Sequence, residues 1–228
     1  MRLPVVGAVT IGQSPRDDIV AELLDALGGD ARLVQRGVLD DVDRADLDAM
    51  HPGPGGEVLV SRMRDGTEVR LERQWLVPRL LQCVKSIEAE VDVIVVLCTD
   101  PFPGLIAPKP LFLPGRLLRE FVVAVGAQRI GVLTPSQQQI EAQRSRWSDV
   151  APEVVVQAAS PYTEGARLEN VGLAFADERV QLVVMDCIGY TRAMGDVVST
   201  AAGCPALVAV STLAHTLRDW LGGAAAER

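Results

Sequence analysis

Two hydrophobic rhythms alternate along the chain. Short, mostly apolar runs rich in Val, Ile and Leu recur at residues 4–9, 91–97, 129–133, 154–158, 180–185 and 206–210, with a weaker one at 32–36. Runs of this length without polar alternation read as strands buried on both faces. Between them apolar residues fall three or four apart, as in Ile19, Leu23, Leu24 and Leu27 or Leu76, Leu80, Val84 and Ile87. That spacing lines one face of a helix. The pattern predicts helices from Ser14 to Gly28-Gly29, over 74–90 and 116–125, from Thr134 to near Trp147, and over 164–176, 189–202 and 212–221, with a frayed tail at 222–228. Ser14-Pro15-Arg16-Asp17 reads as N-cap, N1 and N3, and Thr134-Pro135 as a second cap followed by proline. Strands alternating with helices imply βαβ units and a parallel sheet.

Two stretches break the alternation. Residues 40–50 are acidic with a weak short helix, and His51-Pro52-Gly53-Pro54-Gly55-Gly56 must be loop. Residues 57–63 and 67–72 then flank Arg64-Asp65-Gly66, an Asp-Gly hairpin signal. Residues 101–114 carry five prolines and one glycine, too many for one regular element, and read as a segment crossing between two lobes.

Each half opens with a strand, a Thr and a proline-containing helix start, and later has an apolar strand ending at a cysteine, Cys98 or Cys187. Thr10 and Cys98 are 88 positions apart and Thr134 and Cys187 are 53 apart; the excess of 35 matches the acidic segment plus hairpin. The halves therefore read as two copies of one α/β plan, the first with an insertion at about 40–74.

Composition narrows the classes. The 228 residues are 48% hydrophobic but only 4% aromatic, so the core must be aliphatic. A net charge of −8 argues against nucleic acid or an anionic membrane as partner. No apolar run approaches the ~18 residues of a spanning helix, and the first residues lack the long apolar core of a signal peptide. A cytoplasmic location is expected. The four cysteines, Cys83, Cys98, Cys187 and Cys204, form no C-x-x-C pair. No metal site is expected, and the thiols should be free.

Ligands of parallel sheets sit just beyond the carboxyl ends of the strands, where Cys98 and Cys187 lie. Alone, such a cysteine is more often a small buried hydrophobe. At matching positions of two repeats the pair suits two-base proton exchange, one thiolate removing a Cα proton and the other thiol delivering one to the opposite face. Thr10, Gly12, Gln13, Ser14 and Arg16 form a hydroxyl- and cation-bearing helix start suited to a carboxylate or phosphate, although capping alone explains Ser14. Thr134 and Ser136 carry the same two readings. Asp100 and Asp186 flank the cysteines and could orient a thiol or bind an amine, but a nearby negative charge disfavours a thiolate. Tyr190 could line the pocket.

The motifs Thr10-Ile11-Gly12-Gln13-Ser14-Pro15-Arg16, Leu97-Cys98-Thr99-Asp100 with Phe102-Pro103, Ser160-Pro161-Tyr162 and Met185-Asp186-Cys187-Ile188-Gly189-Tyr190-Thr191 resemble the AroM family over nearly the whole chain. That family in turn resembles the aspartate/glutamate (hydantoin) racemase superfamily. The resemblance implies two pseudo-symmetric flavodoxin-like α/β lobes, residues 1–112 with 205–228 and residues 113–204, with the active site between them. It implies no cofactor, Cys98 and Cys187 as catalytic pair, and a substrate carboxylate held by Thr10, Ser14, Thr99, Thr134 and Ser136; Gly12, Gln13, Arg16, Asp100, Asp186, Gly189, Tyr190 and Thr191 complete the expected binding set. The chain departs from the racemases, which have Cys-Asn-Thr where it has Cys98-Thr99-Asp100 and Cys-Thr where it has Cys187-Ile188. Asp100 would repel a second substrate carboxylate, an effect that Arg16 would offset. The expected function is racemisation, epimerisation or a related isomerase or lyase reaction on a small carboxylate by a homodimer. The alternative is a binding or regulatory protein that keeps the pocket without the chemistry. A structural partner acting through the hairpin is a third possibility.

Overall fold

The computed structural model describes residues 2–226. Two compact units emerge, residues 1–114 with 213–228 and residues 115–212, each built on a four-stranded parallel sheet.

The first unit starts with β1 (Val5–Thr10), buried throughout. Helix α1 (Asp17–Leu27) follows and ends at Gly28, whose φ of 61° takes the left-handed conformation that a residue without Cβ adopts most easily. Next come β2 (Arg32–Gly37), α2 (Arg44–Ala49), the antiparallel hairpin β3 (Val58–Arg62) and β4 (Glu68–Glu72), α3 (Arg73–Ile87) and β5 (Val93–Leu97). The Asp-Gly turn thus closes the predicted hairpin. The proline-rich segment, expected to hold no regular element, contains a short strand, β6 (Leu111–Phe112), paired with β5. The sheet order is β2-β1-β5-β6, all parallel. Leu76, Leu80, Val84 and Ile87 form the buried stripe of α3, each contributing about 2 kcal/mol by leaving water.

The second unit takes most of α4 (Pro114–Val125), then β7 (Arg129–Thr134), α5 (Ile140–Trp147), β8 (Glu153–Ala158), α6 (Leu168–Asp177), β9 (Leu182–Met185), α7 (Arg192–Ala202) and β10 (Ala206–Val208). Its sheet order is β8-β7-β9-β10, again all parallel. With β1 matched to β7, β2 to β8, β5 to β9 and β6 to β10, the two orders are the same. The first unit adds the insertion between β2 and β5; the second has α7 where the first has proline-rich loop.

Four sequence expectations change. Helix α1 begins at Asp17, two residues later than proline at N1 implies, and its N-cap Arg16 makes no side-chain cap bond. The run 206–210 is strand only to Val208, and α8 (Ala209–Ala226) starts at once; the tail expected to fray is helical as far as Ala226, and residues 227–228 lie outside the described residues. The resemblance places 205–228 in the first lobe, but β10 pairs with β9 in the second sheet, and only the chain from Leu213 onward belongs to the first unit. Among the described residues, no helix is long and apolar enough to cross a membrane.

Candidate functional site

In the first lobe the site residues gather at the carboxyl ends of β1 and β5. Thr10, buried at the end of β1, pairs in register with Leu97. Its Oγ1 accepts the Gly12 amide at 3.2 Å, turning the chain out of the strand. Gly12 has to be glycine, because a Cβ there would lie 2.3 Å from the Arg62 carbonyl oxygen of the hairpin. Gln13 is spent on bridging: its amide nitrogen donates to the Leu39 carbonyl, and its Oε1 accepts the Arg64 amide.

Ser14 does not cap α1. Its amide and hydroxyl both donate to the carboxylate of Asp40, each at 2.7 Å, and the Gly37 amide donates to the same carboxylate at 2.8 Å. The donors expected to hold a substrate carboxylate hold one from the chain itself. Arg16 is 1% exposed and turns its guanidinium onto Asp18, with Nε–Oδ1 at 2.9 Å and Nη2–Oδ2 at 2.8 Å. Burial pushes the Asp18 carboxyl up, but Arg16 and Arg62 outweigh it and hold the group below the ordinary carboxylate value.

Cys98 follows Leu97 directly, is 7% exposed, and its amide donates back to the Val96 carbonyl at 2.9 Å. Thr99 beside it is buried. Asp100 is clamped by Arg73, the first residue of α3, at 2.9 Å. Burial works against the Arg73 charge, but Asp100 more than offsets it. Glu57 and Cys98 add to that attraction, so the guanidinium is held more firmly protonated than usual.

The second lobe repeats this plan at β7 and β9. Thr134 is fully buried and donates from Oγ1 to Gln139 Oε1 at 2.9 Å. The cap expected of it is made by Ser136, whose Oγ accepts the Gln138 amide at the start of a 3-10 turn. Leu133 pairs with Met185, which puts Asp186 beside Thr134 as Leu97 is beside Thr10. Cys187 is therefore one residue beyond the register partner of Thr134, as Cys98 is of Thr10. It is 6% exposed and its amide donates to the Met185 carbonyl at 3.0 Å, the same turn as at Cys98.

The side chain of Asp186 is fully buried. Its Oδ2 accepts Trp147 Nε1 at 2.9 Å and meets Arg146 Nη1 at 3.3 Å, while Oδ1 has no hydrogen-bond partner among the described residues. The residues after Cys187 are engaged in shaping the turn. A Cβ on Gly189 would fall 2.3 Å from the Tyr162 hydroxyl. Tyr190 donates its hydroxyl to the Ala159 carbonyl at 2.6 Å; burial, ahead of the neighbouring charges of Cys187 and Asp186, pushes its phenol well above the usual range. Thr191 caps α7 by accepting the Met194 amide.

The structure thus brings Thr10, Cys98, Thr99 and Asp100 to adjacent strand ends in one lobe, and Thr134, Asp186 and Cys187 to the equivalent ends in the other. Gly12, Gln13 and Ser14 fasten the loop after β1 onto the insertion, while Arg16 is held by Asp18 and Gln35. Asp40, Arg73, Arg146 and Trp147 are members of these clusters that sequence reasoning missed; their partners lie 26 to 40 positions away, and nothing local marks them. Among the described residues no group of three or more His, Cys, Asp or Glu is placed to hold a metal ion.

The family model described as AroM protein matches residues 6–221. A search of curated protein sequences found no match. Solved structures with the same fold include an aspartate racemase from Picrophilus torridus (12% identity, 96% of this chain and 94% of that one, TM-score 0.60). A glutamate racemase from Francisella tularensis in complex with D-glutamate is 13% identical over 97% and 82% of the two chains, with a TM-score of 0.62. A maleate isomerase from Pseudomonas putida is 14% identical over 96% and 93%, with a TM-score of 0.61. At such identities the likeness is one of fold: the α/β architecture of the Asp/Glu racemases.

Proposed function

The chain belongs to the AroM family, and from that membership we propose that it is a cofactor-independent racemase, epimerase or related isomerase or lyase acting on a small carboxylate, with Cys98 and Cys187 as its acid–base pair. One observation carries the proposal: each cysteine stands one residue past the register partner of the threonine ending the lobe's first strand, in the same turn, with its amide bonded two residues back. Core packing alone does not require that equivalence.

In the proposed step one sulfur, as thiolate, takes the Cα proton. The C–H bond breaks, an S–H bond forms, and the electron pair moves into the substrate carboxylate as an enediolate. The other thiol then returns a proton to Cα from the opposite face and is left as thiolate, ready for the reverse reaction. In this proposal stabilisation of the enediolate falls to hydroxyl and amide groups around Thr10, Thr99, Thr134 and Ser136, with the Thr134 hydroxyl released from Gln139 when substrate binds. The acids beside the cysteines argue less against acidic substrates than the sequence alone implies, because Arg73 answers Asp100 and Arg146 answers Asp186 within each lobe. The four free cysteines suit the reducing cytoplasm that belongs to the same proposal, and light scattering will measure the proposed homodimer.

The test is deuterium wash-in from solvent at Cα across a panel of small amino, hydroxy and dicarboxylic acids. Exchange is expected with at least one of them and lost in Cys98→Ser and in Cys187→Ser. Neither exchange nor turnover with any would overturn the proposal. A binding protein without chemistry would instead show thermal stabilisation by a carboxylate or phosphate that survives both substitutions.

A further inference from the structure

The insertion in the first lobe ends on a cation that reaches the Cys98 loop. Strand β4 runs to Glu72, and α3 opens on Arg73. Backbone bonds fix the junction: the Glu72 amide donates to the Met50 carbonyl at 2.8 Å and the Arg73 amide to the Glu57 carbonyl at 2.9 Å. Helix α3, 15 residues long, leads through a short turn into β5 and runs back along it. Its N-terminal end therefore lies at the carboxyl end of β5, where Cys98 and Asp100 follow. The bond from Arg73 Nε to Asp100 Oδ2, 2.9 Å long, marks that approach. In the second lobe α6 takes the place of α3, and it starts on the uncharged Leu168.

Three groups of the first lobe act on the guanidinium. Asp100 is bonded to Nε and is largely shielded from solvent, whereas Glu57, just before β3, stands 3.6 Å from Nη1 with most of its side chain in water. Cys98 is the third: burial disfavours the Arg73 charge, and Asp100, then Glu57 and Cys98, more than restore it. Such coupling is reciprocal, so what a thiolate does for the guanidinium, the guanidinium does for the thiolate. The partial positive charge at the N-terminal end of α3 acts in the same direction. Asp100 and Glu57 act the other way, and water screens Glu57.

We infer that Arg73 is a positioning residue for Cys98: its guanidinium, carried at the end of the insertion, favours the Cys98 thiolate directly and does more than neutralise Asp100. The thiol S–H bond breaks, the electron pair stays on sulfur and the proton passes to solvent, so the first lobe's sulfur is ready as a base before substrate arrives. The insertion thereby sets the charge of a site to which it contributes no nucleophile. The catalytic meaning of this rests on the reading of Cys98 as an acid–base group; the charge contact itself is measurable without substrate.

Ultraviolet thiolate absorbance of the full chain, followed across pH as the difference between each protein and its own Cys98→Ser version, titrates that sulfur alone. Arg73→Gln should move the midpoint up by about one pH unit or more, and Arg73→Lys, which keeps the charge, should stay close to the wild type. If Arg73→Gln does not fold, Arg73→Met, which keeps the apolar stem, replaces it. Asp100→Asn should move the midpoint down, and adding Arg73→Gln to it should move the midpoint up again. An unmoved midpoint in Arg73→Gln, an equal shift in Arg73→Lys, or an upward move that disappears in the Asp100→Asn background would overturn the inference, the last by showing that Arg73 only neutralises Asp100. Where wash-in is found, the acid limb of its pH profile should move with the same midpoint, whereas a loss of structure lowers the rate at every pH. A shifted midpoint without wash-in on any substrate would sink the proposed reaction and leave the charge contact standing; wash-in with an unmoved midpoint would do the reverse.

Discussion

In the first lobe the acid beside the cysteine comes after it, lies partly open to solvent and is answered by Arg73; in the second the acid comes before it, is sealed from solvent and is answered by Arg146 and the Trp147 indole. Around this difference the lobes agree closely. Gly7 and Gly131 stand three residues before Thr10 and Thr134, and the amides of Val38 and Ala159 bond to the carbonyls of those two threonines. Both cysteine amides turn back two residues. The strand-end geometry is duplicated, whereas the supports around it differ: an insertion and a proline-rich loop in one lobe, continuous helices in the other.

The largest effects should come from breaking the duplicated feature. If the cysteines are an acid–base pair, Cys98→Ser and Cys187→Ser each lower the Cα exchange rate by about 10^2–10^4-fold, and by similar factors, because each exchange cycle uses both groups. A loss confined to one lobe would show that the duplication is structural and that a single base acts. Wash-in rates of the two variants on the same substrate make the comparison.

Next come the acids. Arg146→Ala leaves the buried Asp186 carboxylate without its cation and should cost about 3 kcal/mol. Arg73→Ala leaves Asp100, which is 15% exposed, where water can take over, and should cost about 1 kcal/mol or less. Urea unfolding of the two variants measures the difference; equal costs would mean that the burial of Asp186 does not set the energetics of its pair.

Much of this plan is legible in the sequence because it is local. The α3 stripe, the Asp-Gly hairpin, the length of the insertion and the matching threonine-to-cysteine order all follow from spacing. What escapes is side-chain pairing over long separations. Ser14 has the local signature of a cap, yet Asp40, 26 positions on, takes both its donors. Gly37 makes this possible, since a Cβ there would lie 2.5 Å from the Ser14 amide nitrogen. Arg16 looks like a ligand-facing cation until Asp18 and burial claim it. Ala209 and Val210 continue an apolar run with strand propensity, but tertiary packing makes them the first turn of α8.

The paired glycines sharpen the comparison at the level of packing. A Cβ on Gly7 would meet Ile87 Cδ1 at 3.1 Å, the end of a flexible side chain; one on Gly131 would meet the fully buried Phe175 ring at 2.7 Å. Gly131→Ala should therefore cost about 2 kcal/mol by overpacking, and Gly7→Ala about 1 kcal/mol or less. Chemical denaturation of both variants checks the order, and a reversal would mean that the second lobe yields more easily than its aromatic contact implies.

The smallest expected effect separates the lobes by pH. Only the first has a carboxylate that ties α1 to the insertion, Asp18, bonded to Arg16 and 3.2 Å from Arg62 of β3. Its folded-state pKa lies below the unfolded value, so its contribution is fully present above the ordinary carboxylate range. It is lost as pH falls through the depressed folded value. Wild type should therefore be modestly more stable than Asp18→Asn near pH 6.5, and the gap should close on acidification below about pH 4. Thermal unfolding of both proteins across that range reads the gap directly. A gap that is absent near neutrality, or that widens in acid, would mean that the insertion is held to α1 by backbone bonds such as Gln13 to Arg62 and not by charge.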